Sequence, residues 1–241
     1  MSIETVARTD TGRQRDHNED SVLVAPTSSG RLLAVADGMG GHNAGDVASA
    51  AALAAFVDGL GETLADADPA TALERSAGAA DERVREKAAE DPGREGMGTT
   101  LVAALVGDES ATVVNVGDSR AYSVADDAIE QVTVDHSLVQ ELVDAGEITE
   151  AEAETHPQRN VVSQALGASE TIDPDSFTVE FGTDETLLLC SDGLTEEVTE
   201  SSIREVVAGS RSVEDAADEL IATANENGGS DNVSVVLGRR R

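Results

Sequence analysis

Four aspartates stand at the ends of apolar, strand-like runs, each close to a glycine: Asp37, Asp118, Asp192 and Asp231. In a mostly antiparallel sheet the end of one strand lies beside the start of its neighbour, so these four side chains are expected to converge at one edge. Clustered carboxylates raise one another's pKa unless cations neutralise them. The pattern therefore predicts a metal site, with turn or capping residues as the alternative for each aspartate taken singly.

The donor set decides which metal suits such a site. Carboxylate oxygens without cysteine or histidine favour Mg²⁺ or Mn²⁺ over zinc or copper. Gly38, directly after Asp37, lets the backbone come close and can offer its carbonyl as a further oxygen ligand. Because the chain contains 48 acidic residues, the position of these aspartates carries more weight than their number.

Arg15 lies upstream, in the polar stretch 9–20. A guanidinium group is always charged and matches two phosphate oxygens, which an otherwise anionic metal site needs if it is to hold a phosphorylated ligand. The alternative is an ordinary surface arginine in a salt bridge, and spacing alone leaves both open.

Short, often Val-rich runs predict strands along most of the chain, and amphipathic patterns predict helices between them. The predicted strands are 22–25, 32–36, 100–106, 112–116, 121–124, 129–134, 186–190 and 232–237, and the predicted helices cover 44–64, 73–88 and 213–224, with short helical pieces at 138–145 and 149–154. Strands without intervening helices at 100–134 favour antiparallel pairing over βαβ crossovers.

The order of these elements predicts an α+β fold: a β-sandwich of two mostly antiparallel sheets packed face to face, with helices covering both outer faces. Residues 135–170 form an excursion from the sheets. The chain contains no linker, internal repeat or low-complexity stretch, so residues 1–241 are expected to form a single domain.

The surface is expected to be strongly acidic, since 48 acidic residues against 16 basic ones give a net charge of −32. Lys87 is the sole lysine, and aromatic residues make up 2% of the chain. At about 1 M salt the Debye length is roughly 3 Å, so such crowding of charge is tolerated in brine. We therefore expect a halophilic protein; an acidic protein of an ordinary cytoplasm is the alternative.

Composition also excludes several classes of protein. This negative charge should repel nucleic acid and anionic membranes, because phosphates are bound by clusters of lysine and arginine. The longest apolar stretch, 47–57, is too short for a membrane span, no signal peptide is visible, and a single cysteine, Cys190, excludes an internal disulfide. A cytoplasmic location is expected. A kinase or nucleotide hydrolase is disfavoured, because the phosphate-binding Gly-x-x-x-x-Gly-Lys-Ser/Thr loop is absent and Lys87 is the sole lysine.

The motifs resemble, in order and over about residues 5–237, the metal-dependent protein serine/threonine phosphatases of type 2C in their compact prokaryotic form. The matching stretches are Asp10–Asp20, Val35–His42, Gly96–Thr100, Asn115–Arg120, Asp135–Ser137, His156–Pro157, Ala165–Gly167, Ser191–Leu194 and Gly229–Val233. The resemblance implies a four-layer α-β-β-α sandwich with a metal centre at one end.

Carried over by position, the resemblance implies two metals bridged by Asp37. Asp192 and Asp231 would complete the first, and the Gly38 carbonyl would help to hold the second. Asp118 with Asp192 would form a third, weaker site.

Three more residues would support the second metal and its surroundings. Asp20 and Glu19 would act on that metal directly or through water, and Asn232 is a candidate for support behind the ligands.

The resemblance also implies roles around the metals. Arg15 would bind the phosphate, and residues 137–166 would form a flap beside the site. A metal-activated water would attack phosphorus, and His42 is the candidate proton donor to the leaving oxygen, with a surface or structural histidine as the alternative. Relatives from higher organisms carry histidine directly after the Asp-Gly pair, where this chain has Met39.

The implied activity is hydrolysis of phosphoserine and phosphothreonine in proteins by a monomeric enzyme that requires Mn²⁺ or Mg²⁺. Its partners would be phosphoproteins and the opposing serine/threonine kinase. The alternatives are a catalytically weak phosphopeptide-binding regulator on the same fold and a phosphomonoesterase of small molecules.

Overall fold

A computed structural model describes residues 3–40, 44–107 and 109–240. Its strands are β1 (Ile3–Asp10), β2 (Ser21–Thr27), β3 (Gly30–Ala36), β4 (Gly38–Met39), β5 (Gly98–Thr99), β6 (Leu101–Val106), β7 (Ser110–Val116), β8 (Arg120–Val124), β9 (Ile129–Gln131), β10 (Asp175–Glu180), β11 (Thr186–Cys190) and β12 (Val233–Arg240). Its helices are α1 (Gly45–Thr63), α2 (Pro69–Ala89), α3 (Leu138–Asp144), α4 (Glu150–Ala153), α5 (Asp192–Thr195), α6 (Glu200–Gly209) and α7 (Val213–Asn227), with a 3₁₀ turn at Pro92–Arg94.

The strands form two five-stranded sheets in which every described pairing is antiparallel. The first sheet has the order β1-β12-β11-β8-β9, and the second has the order β10-β7-β6-β3-β2. A separate two-stranded ribbon pairs β4 with β5.

Successive side chains along each strand point alternately to the two faces of its sheet. In β3, Leu33 and Val35 point into the core between the two sheets, whereas Leu32 and Ala34 pack under helices on the outside. In β11, Leu187 and Leu189 enter the same inter-sheet core. Because successive side chains point to opposite faces and both faces are buried, these strands read as continuous apolar runs in the sequence.

The two helical layers cover opposite outer faces. Residues of α1 and α2 share one apolar cluster with the second sheet, and residues of α6 and α7 share another with the first sheet. Side chains fix where α2 and α7 begin: Asp68 accepts from the backbone N–H of Thr71 at 3.1 Å, and Ser212 accepts from that of Asp215 at 3.1 Å. The predicted four-layer α+β sandwich is confirmed.

Two details differ from the sequence prediction. The strand expected at 129–134 ends at Gln131, and β10 was not predicted. Only Phe177 and Val179 of β10 pack against the inter-sheet core, as partly buried residues, so its apolar signal is weak. Among the described residues, no helix combines the length and the apolar character needed to cross a bilayer.

Candidate metal centre

The four strand-end aspartates come from both sheets, two from each. Asp37 follows β3 and Asp118 follows β7; these strands run in the same direction because both pair antiparallel with β6. Asp192 follows β11 and Asp231 precedes β12, which are antiparallel neighbours in the other sheet. The prediction of a single shared sheet edge is therefore wrong: the centre spans strand ends of both sheets.

Asp37 is the centre of this group. Burial raises the pKa of its carboxyl well above the usual value, and the charges of Asp20, Asp192, Asp118 and Asp231 raise it further, in that order. Interaction with four other carboxylates shows that folding brings the distant aspartates together around Asp37.

Asp192 and Asp118 lie partly buried beside it. Burial, followed by the charges of Asp118, Asp231 and Glu196, raises the pKa of Asp192 to about 8. The pKa of Asp118 rises to about 6, first through burial and then through the neighbouring charge of Asp135. Ionising these carboxyl groups together is unfavourable because their negative charges repel one another. A bound cation would remove that repulsion.

Asp20, the residue directly before β2, also lies near Asp37. Ser191 donates its hydroxyl to Asp20 Oδ2 at 2.9 Å and accepts the backbone N–H of Ser234 at 3.0 Å. Burial nevertheless raises the pKa of Asp20 to about 6, against hydrogen bonds that lower it.

Two carboxylate oxygens in this group have unused capacity. Oδ1 of Asp20 and Oδ1 of Asp192 are buried and have no hydrogen-bond partner. Buried polar atoms are normally satisfied, so an orphan oxygen in a carboxylate cluster fits a site for a hard cation. Within residues 3–40, 44–107 and 109–240, no group of three or more Asp, Glu, His or Cys side chains has the arrangement of a preformed metal site.

The backbone around Asp37 is fixed by two threonines. Thr100 accepts the N–H of Asp37 on its hydroxyl at 3.0 Å and donates its own N–H to the Asp37 carbonyl at 2.9 Å. The Thr99 hydroxyl donates to the same carbonyl at 2.8 Å. A Cβ on Gly38 would lie 2.2 Å from the carbonyl oxygen of Gly45, so this close approach of chain segments requires glycine.

The Glu19 carboxylate contacts the start of α1, next to the close approach of Gly38 and Gly45. Its Oε1 accepts from the N–H of Gly45, the first residue of α1, at 3.3 Å. Its backbone N–H donates to Oδ1 of Asn232 at 2.8 Å. The Nδ2 of Asn232 donates to the carbonyls of Thr11 and His17, each at 2.9 Å. Asn232 thus binds both ends of the segment that carries Arg15.

Arg15 lies at the rim of the centre. Its Nη2 is 2.6 Å from Oδ2 of Asp231, and about half of its side chain is exposed (51%). A salt bridge and a position beside the carboxylate cluster, predicted as alternatives, therefore occur together in Arg15.

Several residues around the centre were given no role from sequence. Ser191 and Thr100 lie inside motifs quoted above but were not singled out, and Glu196 lies just outside one. A small hydroxyl residue next to a strand-end aspartate is the signal that would have found Ser191, whereas Thr100 is far from Asp37 in the sequence and Glu196 is one acid among 48. His42 lies outside the described residues.

Residues 137–166 carry α3 and α4 beside the centre. Ser137 pairs with Val162 at the base of this segment, and the side-chain amide of Asn160 donates to Oε1 of Glu196 at 2.6 Å. The segment thus contacts the residue whose charge acts on Asp118 and Asp192.

Comparison with known proteins agrees with this geometry. The family described as Protein phosphatase 2C matches residues 10–237. The serine/threonine phosphatase Stp of Listeria innocua is 42% identical over 237 residues, which cover 97% of this chain and 94% of that protein.

Solved structures agree as well. The serine/threonine phosphatase PstP/Ppp of Mycobacterium tuberculosis superposes with a TM-score of 0.89 at 39% identity, over 99% of each chain. A structure of the PstP catalytic domain in complex with two manganese ions has a TM-score of 0.85 at 37% identity, over 98% of this chain and 97% of that one. By sequence and by fold, the chain belongs to the protein phosphatase 2C family.

Proposed function

We propose that this protein is a divalent-metal-dependent phosphatase that hydrolyses phosphoserine and phosphothreonine side chains of proteins. The observation that carries the proposal is the group of interacting carboxylates around Asp37, in a chain whose relatives are serine/threonine phosphatases. Its substrates are accordingly phosphoproteins, and an opposing serine/threonine kinase supplies them.

The residues at the centre fit Mn²⁺ or Mg²⁺. Asp37 would be shared by two ions, with Asp192 and Asp231 on the first. The orphan oxygen of Asp20 supports a place for that residue at the second ion, beside the Gly38 carbonyl. Bound divalent cations supply positive charge that lowers the pKa of an attacking water and stabilises the phosphoryl oxygens.

Glu19 and Asn232 act behind the ligands. The contact of Glu19 with the start of α1 favours a supporting role for it over direct ligation. Asp118, close to Asp192 and raised in pKa, supports a third and weaker site.

Arg15 binds the substrate phosphate in this proposal. Its exposed position leaves guanidinium N–H groups facing solvent at the rim, where a phosphate monoester would enter. The Asp231 contact aims the guanidinium toward the carboxylate cluster, and Asn232 holds the segment from which it projects. Proton delivery to the leaving oxygen stays assigned to His42.

The surroundings of the enzyme follow from its charge. We place it as a monomer in the salt-rich cytoplasm of a halophilic organism, away from nucleic acid and membranes, with residues 137–166 as the flap of a single catalytic domain.

The test is hydrolysis of p-nitrophenyl phosphate in molar KCl with Mn²⁺, with Mg²⁺ and with excess EDTA. Turnover is expected only with added metal. Asp192→Ala should reduce it at least about 100-fold, because a ligand and a buried charge are lost. Asp58→Ala, which removes an exposed aspartate of α1, is the matched control and should behave as wild type.

Substrate class is read from phosphoserine, phosphothreonine and phosphotyrosine peptides. Faster cleavage of phosphotyrosine, or activity confined to small phosphomonoesters, would overturn the stated specificity. Tight binding of phosphopeptides without turnover would identify a regulator on this fold, and full activity in EDTA would reject metal dependence.

A further inference from the structure

We infer that Asp81 and Arg85 of α2 are positioning residues that hold the end of the flap against the strand beside Asp37, and so set the affinity of the centre for divalent cations. The inference rests on the proposed metal-dependent function. It concerns two side chains of a helix that contributes no ligand to the centre.

Asp81 and Arg85 together bind residues 165–170, named here the return segment. Asp81 is almost fully buried (8% exposed), and its Oδ1 accepts the backbone N–H of Gly167 at 2.7 Å. Its Oδ2 accepts from Nε of Arg85 at 2.9 Å, and Nη2 of Arg85 donates to the carbonyls of Ser169 and Glu170. One ion pair therefore binds one donor and two acceptors of the return segment.

The return segment lies directly on the helix at this point. Gly167 has a φ of +82°, and a Cβ there would lie 2.2 Å from Cγ1 of Val84. Leu166 is fully buried in the apolar cluster that α2 shares with the second sheet. The segment thus has two attachments to α2, one apolar and one ionic, and the ionic one requires both Asp81 and Arg85.

The other side of the return segment reaches the metal centre. Leu166 and Thr99 exchange two backbone hydrogen bonds, at 2.9 and 3.0 Å. The Thr99 hydroxyl donates to the carbonyl of Asp37 at 2.8 Å. Hydrogen bonds and the intervening backbone therefore connect α2 to Asp37. The connection runs from Asp81 to Gly167, along the chain to Leu166, and through Thr99 to the Asp37 carbonyl.

This connection has a specific consequence for metal binding. Loosening the return segment frees Thr99 to shift, and with it the backbone of the aspartate proposed to bridge both ions. Residues that orient metal ligands typically contribute about 10–100-fold to metal affinity. Because Asp81 and Arg85 act one contact further away, we expect a smaller effect, about 3–10-fold.

The experiment compares Asp81→Asn and Arg85→Ala with matched changes on the same helix. Arg83 and Glu86 form an exposed ion pair within α2, so Glu86→Gln and Arg83→Ala are the controls. Mn²⁺ affinity is measured by isothermal titration calorimetry in molar KCl, with Asp37→Asn defining binding outside the centre. Limited proteolysis reports the exposure of residues 145–170.

The expected result has three parts. Asp81→Asn and Arg85→Ala bind Mn²⁺ about 3–10-fold more weakly than wild type and are cut faster in the flap, while both controls stay within twofold. At saturating Mn²⁺ their kcat returns toward wild type, because the ligands and Arg15 are intact. A purely structural role would lower thermal stability without this recovery.

Three outcomes would overturn the inference. The first is Mn²⁺ affinity and proteolysis equal to the controls, which leaves the phosphatase proposal standing. The second is a loss of kcat that saturating Mn²⁺ does not restore. The third is failure of both variants to fold, which would make the pair an element of folding. Failure of the wild-type protein to bind Mn²⁺ or to hydrolyse any phosphoester would instead reject the proposed function.

Discussion

At the scale of single residues, Asp192 shows how folding changes the chemistry of a carboxyl group. In the unfolded chain it would titrate near 3.8, whereas burial and neighbouring charge raise its pKa to about 8 in the folded state. Asp20 and Asp118 shift in the same direction, to about 6. Between these values the folded protein keeps protons that the unfolded chain has lost.

The stability of the metal-free protein should therefore fall as pH rises. A raised carboxyl pKa stabilises the fold below pH 3.8, and this contribution is lost as pH rises through about 8 for Asp192. Thermal unfolding in EDTA and molar KCl should show a lower Tm at pH 9 than at pH 5. Asp192→Asn has no such carboxyl and should show a shallower decline.

Asp58→Asn controls for the loss of one negative charge at an exposed position. Added Mn²⁺ should remove most of the pH dependence in the wild-type protein. An Asp192→Asn variant with the same slope as Asp58→Asn would contradict the assignment of Asp192 as a major source of the effect.

At the scale of elements, the segment from Thr11 to Asp20 has no regular secondary structure, yet it carries Arg15 and Asp20. A side chain from another part of the chain holds it: Asn232, 5% exposed, makes three hydrogen bonds to its backbone. Side-chain bonds to backbone groups replace the sheet ladder here, so the loop can be precise without being a strand.

Removing those bonds should loosen Arg15, the arginine proposed to bind phosphate. Asn232→Ala leaves backbone groups unpaired, and we expect a loss of about 2 kcal/mol in the free energy of unfolding. The KM for p-nitrophenyl phosphate should rise more than kcat falls, since Arg15 is displaced while most ligands stay in place. Steady-state kinetics with Mn²⁺ and chemical denaturation measure the two effects.

Asn227→Ala is the control, because Asn227 is exposed and its amide bonds to the carbonyl of Glu197 outside this segment. It should change neither KM nor stability by much. An unchanged KM in Asn232→Ala would show that the position of Arg15 does not depend on the hydrogen bonds of Asn232.

At the scale of the whole molecule, the fold must hold together a chain with a net charge of −32. Most of the ion pairs seen among the described residues have at least one exposed partner, and such pairs contribute little individually. Stability therefore depends on the three apolar clusters and on how far salt screens the remaining repulsion.

We expect Tm to rise by at least about 10 °C between 0.2 M and 3 M KCl, because screening shortens the range of surface repulsion. Circular dichroism during heating measures it. Sucrose at matched water activity, which does not screen charge, should give a smaller rise. A Tm that is constant across this range of KCl would favour the acidic protein of an ordinary cytoplasm.

The sequence by itself determined the elements and the chemistry available to them. Apolar runs such as those of β3 and β11 are long enough and sufficiently β-branched or aliphatic to locate strands. The Asp-Gly pairs that follow β3 and β11 indicated which end of each strand carries the aspartate of the centre. Local pattern failed where burial was partial, as in β10, because a half-exposed strand carries little apolar signal.

Only the tertiary structure decided which aspartates meet. Asp37 and Asp118 belong to one sheet and Asp192 and Asp231 to the other, and nothing in local spacing specifies how two sheets stack. It also separated the orphan oxygen of Asp20 from the helix-bound carboxylate of Glu19, which are adjacent in sequence. The physical reason is that strand patterns encode which face is buried, whereas proximity across the sandwich arises from packing between residues far apart in the chain.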